Sequence, residues 1–286
     1  MTSETSLAQH WSNCDPDIHD FLLRVASDCK AMLAKKFVAV YLHGSLAMGS
    51  FRRNSSDLDV LCITNDEVGP DQKVTWTEGL LHLSDQRPTH GDIEVSVVRN
   101  THLRPFVHPT PYQVHYSAAL RPAIESGKCD FSRALFDRDL AAHCRVLRAR
   151  GVVLEGPPIH SVIGEVSRDA YVDSLLYNLA DILNGTRLID APVYGILNCC
   201  RILAALDSNG PGVLNKEEGG VWGLAHMPRQ HRILVGQALE AQRGRWLVAP
   251  RHRMTGGLTW NREAIDSFRD YVVGETGRLL GTRIAG

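Results

Sequence analysis

The 286-residue chain contains no C-x-x-C pair, and its seven cysteines, Cys14, Cys29, Cys62, Cys129, Cys144, Cys199 and Cys200, are odd in number and scattered. That spacing excludes a zinc knuckle or a dithiol redox motif. Most of the cysteines stand in apolar runs and read as small core residues of a reduced, cytoplasmic protein. No window holds 18 uninterrupted apolar residues, so no membrane-spanning helix is expected. The polar start "MTSETSLAQHWSNCDPD" has no apolar signal core. Charge of one sign is also lacking: 31 Lys and Arg face 32 Asp and Glu, for a net charge of -1. A nonspecific grip on DNA or RNA needs a basic surplus, so nucleic acid is not an expected partner. There is no internal repeat and no low-complexity segment. At 44% hydrophobic and 22% charged, the composition is that of an ordinary globular chain, long enough for one large domain or two modest ones.

What is present divides near residues 156 to 160. Before that point, "DPDIHDFLLRVASDCKAMLAKK" predicts a helix with Asp15 as N-cap and Pro16 in the first turn. Its apolar stripe is Ile18, Leu22, Val25, Cys29 and Leu33. "FVAVYLHGS", "LDVLCIT" and "GDIEVSVVR" predict strands, and "GVVLEGPPI" a last short one after a helical "DRDLAAHCRVLRAR". Beyond "EGPPIHS" the pattern turns helical, in "SRDAYVDSLLYNLADIL", "VYGILNCCRILAALD", "PRQHRILVGQALEAQ" and "NREAIDSFRDYVVGETGRLL". The expected fold class is α+β: a mixed-sheet domain over 1–157 and an all-α bundle over 158–286. Trp222 and Trp246 are expected to pack that bundle.

The chemistry concentrates in "VYLHGSLAMGSFRRNSSDLDVLCI". Residues two apart on a strand share a face, so Asp57 and Asp59 project together. Two close carboxylates repel unless neutralised, and a pair with open positions suits magnesium bridging to a phosphate. Glu94, on "DIEVSVV", is the natural third member; Asp92 shares its face and ranks second. Gly44 lets the backbone turn sharply and approach a ligand, and Ser45 brings a hydroxyl and an N–H at the start of a short helix. Arg52 and Arg53 are candidates for phosphate oxygens, though solvated loop charges by default. Each piece alone is common. The ordered combination of strand, Gly-Ser, short helix, Asp-x-Asp strand and later carboxylate strand is much more specific.

The order "HGS…DLD…E" resembles the nucleotidyltransferase superfamily that includes DNA polymerase β. "TPYQVHYS", "DLAAHCRVLRARGVVLEGPPI", "APVYGILNCCRILAAL" and "NKEEGGVWGL" narrow the resemblance to the aminoglycoside adenylyltransferases that modify streptomycin and spectinomycin. The resemblance implies a nucleotidyltransferase domain followed by a helical domain. It implies that Gly44, Ser45, Asp57 and Asp59 hold magnesium-ATP, with two Mg2+ ions on Asp57 and Asp59 and Glu94 sharing one. It makes Glu94 the catalytic base, and Arg201 and Lys216 contacts of the nucleotide phosphates. An arginine inside so apolar a helix either snorkels or serves an anion. Lys216 reads as part of a polar loop.

The acceptor region departs from the streptomycin pattern. "YNLADILNGTRLIDAPVYG" offers Asp181 and Asp190 but no tryptophan, and Arg187 would oppose a cationic drug. Spectinomycin, another aminocyclitol or another hydroxylated metabolite is favoured at least as well. Asp173 and Asp181 are candidates for an ammonium group, and Tyr112, His115 and Tyr116 for lining the cleft. His143, on a mostly apolar helix without a nucleophile pattern, reads as a structural histidine. The expected reaction moves AMP from ATP to a hydroxyl of a small, cationic acceptor, in a monomer or weak dimer. A transferase acting on tRNA or protein would draw on "RQHR" and "APRHR" as basic patches. A silent nucleotide-binding protein would lack one of the three carboxylates, and all three are present.

Overall fold

The computed structural model describes residues 7–130, 133, 135–210, 212–244 and 254–281. Trp246 and "APRHR" lie outside them. Two compact units divide between Ser174 and Leu175.

The first unit is built on a five-stranded mixed sheet of β1 (Phe37–Leu42), β2 (Leu58–Thr64), β3 (Ile93–Arg99), β5 (Val114–Tyr116) and β7 (Val152–Glu155). Their order across the sheet is β5-β3-β2-β1-β7. β4 (Thr110–Tyr112) and β6 (Leu135–Asp137) form a separate antiparallel ribbon. β2 and β3 are parallel, while β1 pairs antiparallel with β2 and β7, and β3 with β5. Parallel neighbours need a crossover, and α3 (Pro70–Asp85) supplies it. Helix α1 (Pro16–Leu33) starts at the expected Asp15-Pro16 signal. It buries the stripe Ile18, Leu22, Val25, Cys29 and Leu33. These residues pack in one core with Leu58, Val60 and Cys62 of β2 and Ile93, Val95 and Val97 of β3. By alternation, Asp59 and Glu94 stand on the opposite face of the sheet. The one-turn helix α2 (Gly44–Ala47) follows β1. Short α4 (Arg121–Glu125) precedes β6, α5 (Leu140–Arg150) leads into β7, and short α6 (Ile159–Val162) follows it.

The strand-to-helix change falls at β7, as the sequence pattern predicts, but the compact units divide later, inside α7 (Arg168–Asn184). The first turns of α7 are held to the sheet unit by polar contacts. Asp173 accepts hydrogen bonds from Arg138 Nε at 2.8 Å and from His108, and Ser174 Oγ donates to Asp139.

From Leu175 on, the regular elements among the described residues are all helices: the rest of α7, then α8 (Arg187–Asp190), α9 (Pro192–Leu206), α10 (Lys216–His226), α11 (Arg229–Gln242) and α12 (Arg262–Leu279). α9 is buried along nearly its whole length. α10 is a helix where a polar loop was expected. A reciprocal cap starts it: Asn215 accepts from the Glu218 N–H, and Glu218 accepts from the Asn215 N–H. Three of its residues are glycines, ordinarily poor helix formers. Here they let α10 close on its neighbours, because a Cβ on Gly219 would lie 2.9 Å from Arg201 Cβ and 3.0 Å from its Cα. A Cβ on Gly223 would meet Cys200 Sγ at 2.7 Å. Trp222 is half-buried and stacks on His226 at 4.6 Å. Among the described residues, no helix is long and apolar enough to cross a membrane.

Candidate active site

The sheet places the acidic residues by register. Asp59 on β2 lies directly beside Glu94 on parallel β3. One pair further along the same face, Ser96 on β3 lies beside His115 on β5, and Ser96 Oγ bonds His115 Nδ1 at 2.8 Å. Asp57 stands just before β2 and is exposed. Its Oδ1 accepts the Asp92 N–H at 2.9 Å, tying the starts of β2 and β3 together. Asp92, the second-ranked carboxylate, is buried and serves structure instead, accepting from Ser84 Oγ and from the Ile93 N–H.

The turn after β1 comes down on Asp59. Gly44 has φ +64, a left-handed conformation that glycine adopts without Cβ strain. A Cβ there would lie 1.7 Å from Asp59 Oδ2. Only a glycine leaves room for that carboxylate, which is the physical content of the Gly-Ser signal. The His43 N–H donates to the Asp59 carbonyl at 2.9 Å and fixes the turn over β2. Half-buried Ser45 follows, its carbonyl accepting from the Ser50 N–H.

Among the described residues, no three His, Cys, Asp or Glu side chains already stand in a metal-binding arrangement. The donor chemistry does fit magnesium. Asp59 and Glu94 are register neighbours, and Asp57 is exposed, with one oxygen committed to the Asp92 N–H. Hard carboxylate oxygens with room for water and phosphate are what that ion takes.

Histidines and acids crowd around Glu94. His143 Nε2 lies 3.5 Å from Asp139 Oδ2, and its ring rests 4.8 Å from the ring of buried His43. Burial pulls the His143 imidazole down, but Asp139, with Glu94 and Asp137 nearby, outweighs it and lifts the pKa to about 10. Burial, with the adjacent His143 charge, holds His43 well below its ordinary value. His115 is also pushed down by burial, against the pull of Glu94 and Asp137. His143 is thus a partnered structural histidine, as its helix suggests, held between Asp139 and His43. The signal that would have placed it is its pairing with His43, a hundred residues earlier in the chain, which no local pattern contains.

Several other sequence-derived residues lie elsewhere. Tyr116 is fully buried in the α1 core, because its pairing with Val95 turns it to the core face, so it does not line a cleft. Tyr112 is half-buried and edge-on to His115, with ring centroids 6.1 Å apart. Burial, with Asp137, pushes its phenol up. The Asp173 carboxylate is occupied by Arg138 and His108, whose hydrogen bonds lower its pKa to about 2, so an ammonium group would have to displace them. Asp181 pairs with Arg187 at 3.0 Å. Arg53 binds Asp15, Asp17 and the Pro88 carbonyl, and Arg52 is buried.

In the helical unit, Arg201 is half-buried on α9 and has no carboxylate partner among the described residues. Lys216 is the first residue of α10, and its amine lies 5.3 Å from the centre of the Tyr194 ring. That is within cation–π range.

Comparisons with known proteins agree with this architecture. A family model described as the C-terminal domain of aminoglycoside adenylyltransferase matches residues 161–275. A second, described as the nucleotidyltransferase domain, matches residues 25–93, which include Gly44, Asp57 and Asp59. The chain is 25% identical over 218 residues to spectinomycin 9-adenylyltransferase of Staphylococcus aureus, covering 75% of this chain and 81% of that protein. It is 23% identical over 227 residues to spectinomycin 9-adenylyltransferase of Campylobacter jejuni, covering 77% and 84%. The fold matches the crystal structure of the spectinomycin adenyltransferase AAD(9) from Enterococcus faecialis with ATP and spectinomycin. The TM-score is 0.72 at 16% identity, over 90% of this chain and 98% of that one.

Proposed function

The chain belongs to the aminoglycoside adenylyltransferase family, and from that premise we propose that it transfers AMP from ATP to a hydroxyl of spectinomycin or a closely related aminocyclitol, conferring resistance to it. The observation that carries the reading is the register of Asp59 beside Glu94 under the Gly44 turn.

Glu94 accepts the proton of the acceptor hydroxyl. The freed oxygen attacks the α-phosphorus, a new P–O bond forms, and the bond to the bridging oxygen breaks to release pyrophosphate. Asp57 and Asp59, with Glu94, are the residues that would hold Mg2+, which when bound offsets phosphate charge and polarises the reacting phosphoryl oxygens. Gly44 and Ser45 form the turn that receives the triphosphate. Arg201 and Lys216 meet the β- and γ-phosphates, a role that suits a half-buried guanidinium without a carboxylate partner among the described residues. With Asp173 and Asp181 already paired, Tyr112 is the better candidate of the sequence-derived residues for contact with the acceptor. Streptomycin remains a second acceptor to test.

The test is Glu94→Gln with magnesium-ATP and spectinomycin. Calorimetric ATP binding should stay within about threefold of wild type, while pyrophosphate release falls by about a thousandfold or more. Mass spectrometry of the wild-type product should show one added AMP unit. Full activity in Glu94→Gln would overturn the assignment of the base.

A further inference from the structure

The Gly44–Ser45 turn is only one helical turn long, too short to hold its own shape. Something beside it must fix it, and α5 touches it at both ends. At its start, the His43 ring rests against His143, with centroids 4.8 Å apart and planes at 40°. At its end, Arg150 Nη2 donates to the Met48 carbonyl at 2.7 Å. Met48 is the C-cap of α2, and its own N–H bonds the Gly44 carbonyl at 3.1 Å.

His143 and Arg150 are seven residues apart, two turns along one face of α5. Leu147, fully buried, lies between them on the same stripe. The face is therefore His–Leu–Arg, an apolar centre with a polar group at each end, set against a four-residue helix. The far side of His143 is anchored in turn. Asp139 holds its Nε2 at 3.5 Å, and Asp139 accepts from Ser174 Oγ at 3.2 Å.

We propose that α5 is a brace for the nucleotide-binding turn, and that His143 and Arg150 are positioning residues acting on ATP through Gly44 and Ser45. This inference rests on the assignment of the turn to the triphosphate. Neither side chain is assigned a contact with the substrate.

The experiment measures calorimetric magnesium-ATP binding without acceptor in wild type, Arg150→Met, Arg150→Lys, His143→Ala, Ser45→Ala and the double variant Ser45→Ala/Arg150→Met. Thermal midpoints and the KM for spectinomycin are recorded alongside. Arg150→Met and His143→Ala should each weaken magnesium-ATP binding about three- to tenfold. Arg150→Lys, which keeps a donor, should recover to within about twofold, and the KM for spectinomycin should stay within about twofold. In the Ser45→Ala background, Arg150→Met should cost clearly less than it does alone, because both act through one turn. Unchanged ATP affinity in Arg150→Met, or full additivity with Ser45→Ala, would overturn the brace. Should His143→Ala fail to fold, the Arg150 pair and the double variant decide by themselves. If wild type binds magnesium-ATP but does not modify spectinomycin, the proposed acceptor falls while the brace is still judged by the binding data. If wild type binds no ATP, both fall.

Discussion

Replacing Gly44 by alanine should separate stability from catalysis. Two costs arise at that position. The first is backbone strain, about 1–2 kcal/mol for a side chain held at φ +64. The second is steric: the new methyl would lie 1.7 Å from Asp59 Oδ2, 2.5 Å from its Cγ and 2.9 Å from its Cβ. Rotation about the Asp59 side chain can move the first two atoms, but the Cβ is fixed by β2, which is paired on both edges. The carboxylate would have to retreat by about 1.7 Å to reach ordinary contact, and the turn would have to lift with it. Overpacking of this kind adds about 1–3 kcal/mol. The sum lowers the thermal midpoint by roughly 5–15 °C for a protein of this size. A displacement of 1 Å in a reacting constellation costs about a hundredfold in rate, so AMP transfer should fall by at least that much. Gly127→Ala is the matched control. It has the same φ of +64, but its Cβ would meet nothing within 4 Å, so it carries strain alone. Both variants would be followed by thermal unfolding and by pyrophosphate release with spectinomycin. If Gly44→Ala transfers AMP within about fivefold of Gly127→Ala, the placement of Asp59 in the reaction is wrong.

Gly219→Ala should push α10 off the Arg201 backbone, costing about 1–3 kcal/mol in urea unfolding and weakening magnesium-ATP binding. Gly236→Ala on α11, where the nearest atom would be 3.9 Å away, should be neutral or stabilising by up to about 1 kcal/mol, and equal behaviour of the two would refute the close-packing account. The folded pKa of His143 is raised to about 10, above its ordinary value of 6.5, so its contribution is complete below pH 6.5 and is lost as pH climbs towards 10. The stability gap between wild type and His143→Gln, measured by urea unfolding, should narrow across that window; a constant gap would contradict the Asp139 pairing. Asp173 is shifted the other way, from 3.8 to about 2, so its contribution is present above about pH 4 and is lost as pH falls to 2. Because that side chain is 37% exposed, the loss is about 1 kcal/mol, and parallel acid-unfolding curves for wild type and Asp173→Asn would remove it.

The elements that the sequence announces plainly are those with clean periodicity. The α1 stripe and the strand "LDVLCIT" are found where their patterns put them, as β2 spans Leu58–Thr64. The position of Glu94 beside Asp59 needed the pairing of strands 35 residues apart, yet the short alternating runs contained it. α3 escaped notice because its buried side carries Lys73, Thr77 and Ser84 among its apolar residues. α10 escaped because Gly219, Gly220 and Gly223 argue against a helix until α9 is seen behind them. Tyr116 and Asp173 were misread for a shared reason. Residue type suggested a cleft, but strand pairing decided which way Tyr116 faced, and an arginine from another segment had already taken Asp173. The roles of His143 and Arg150 depend on contacts with residues a hundred positions away, invisible to any local reading.

The parallel arrangement of β2 and β3 separates what evolution or an engineer can vary from what must stay fixed. The strands begin at the same edge, and their pairing, not the length of the connection, sets which residues face one another; α3 within that connection is itself fixed, because Trp76, Leu80 and Leu83 pack in the α1 core. A deletion of one residue inside β3 is different in kind. It would present Ile93 or Val95 beside Asp59 and turn the acid toward the α1 core, erasing the reactive pair while leaving the strand otherwise intact.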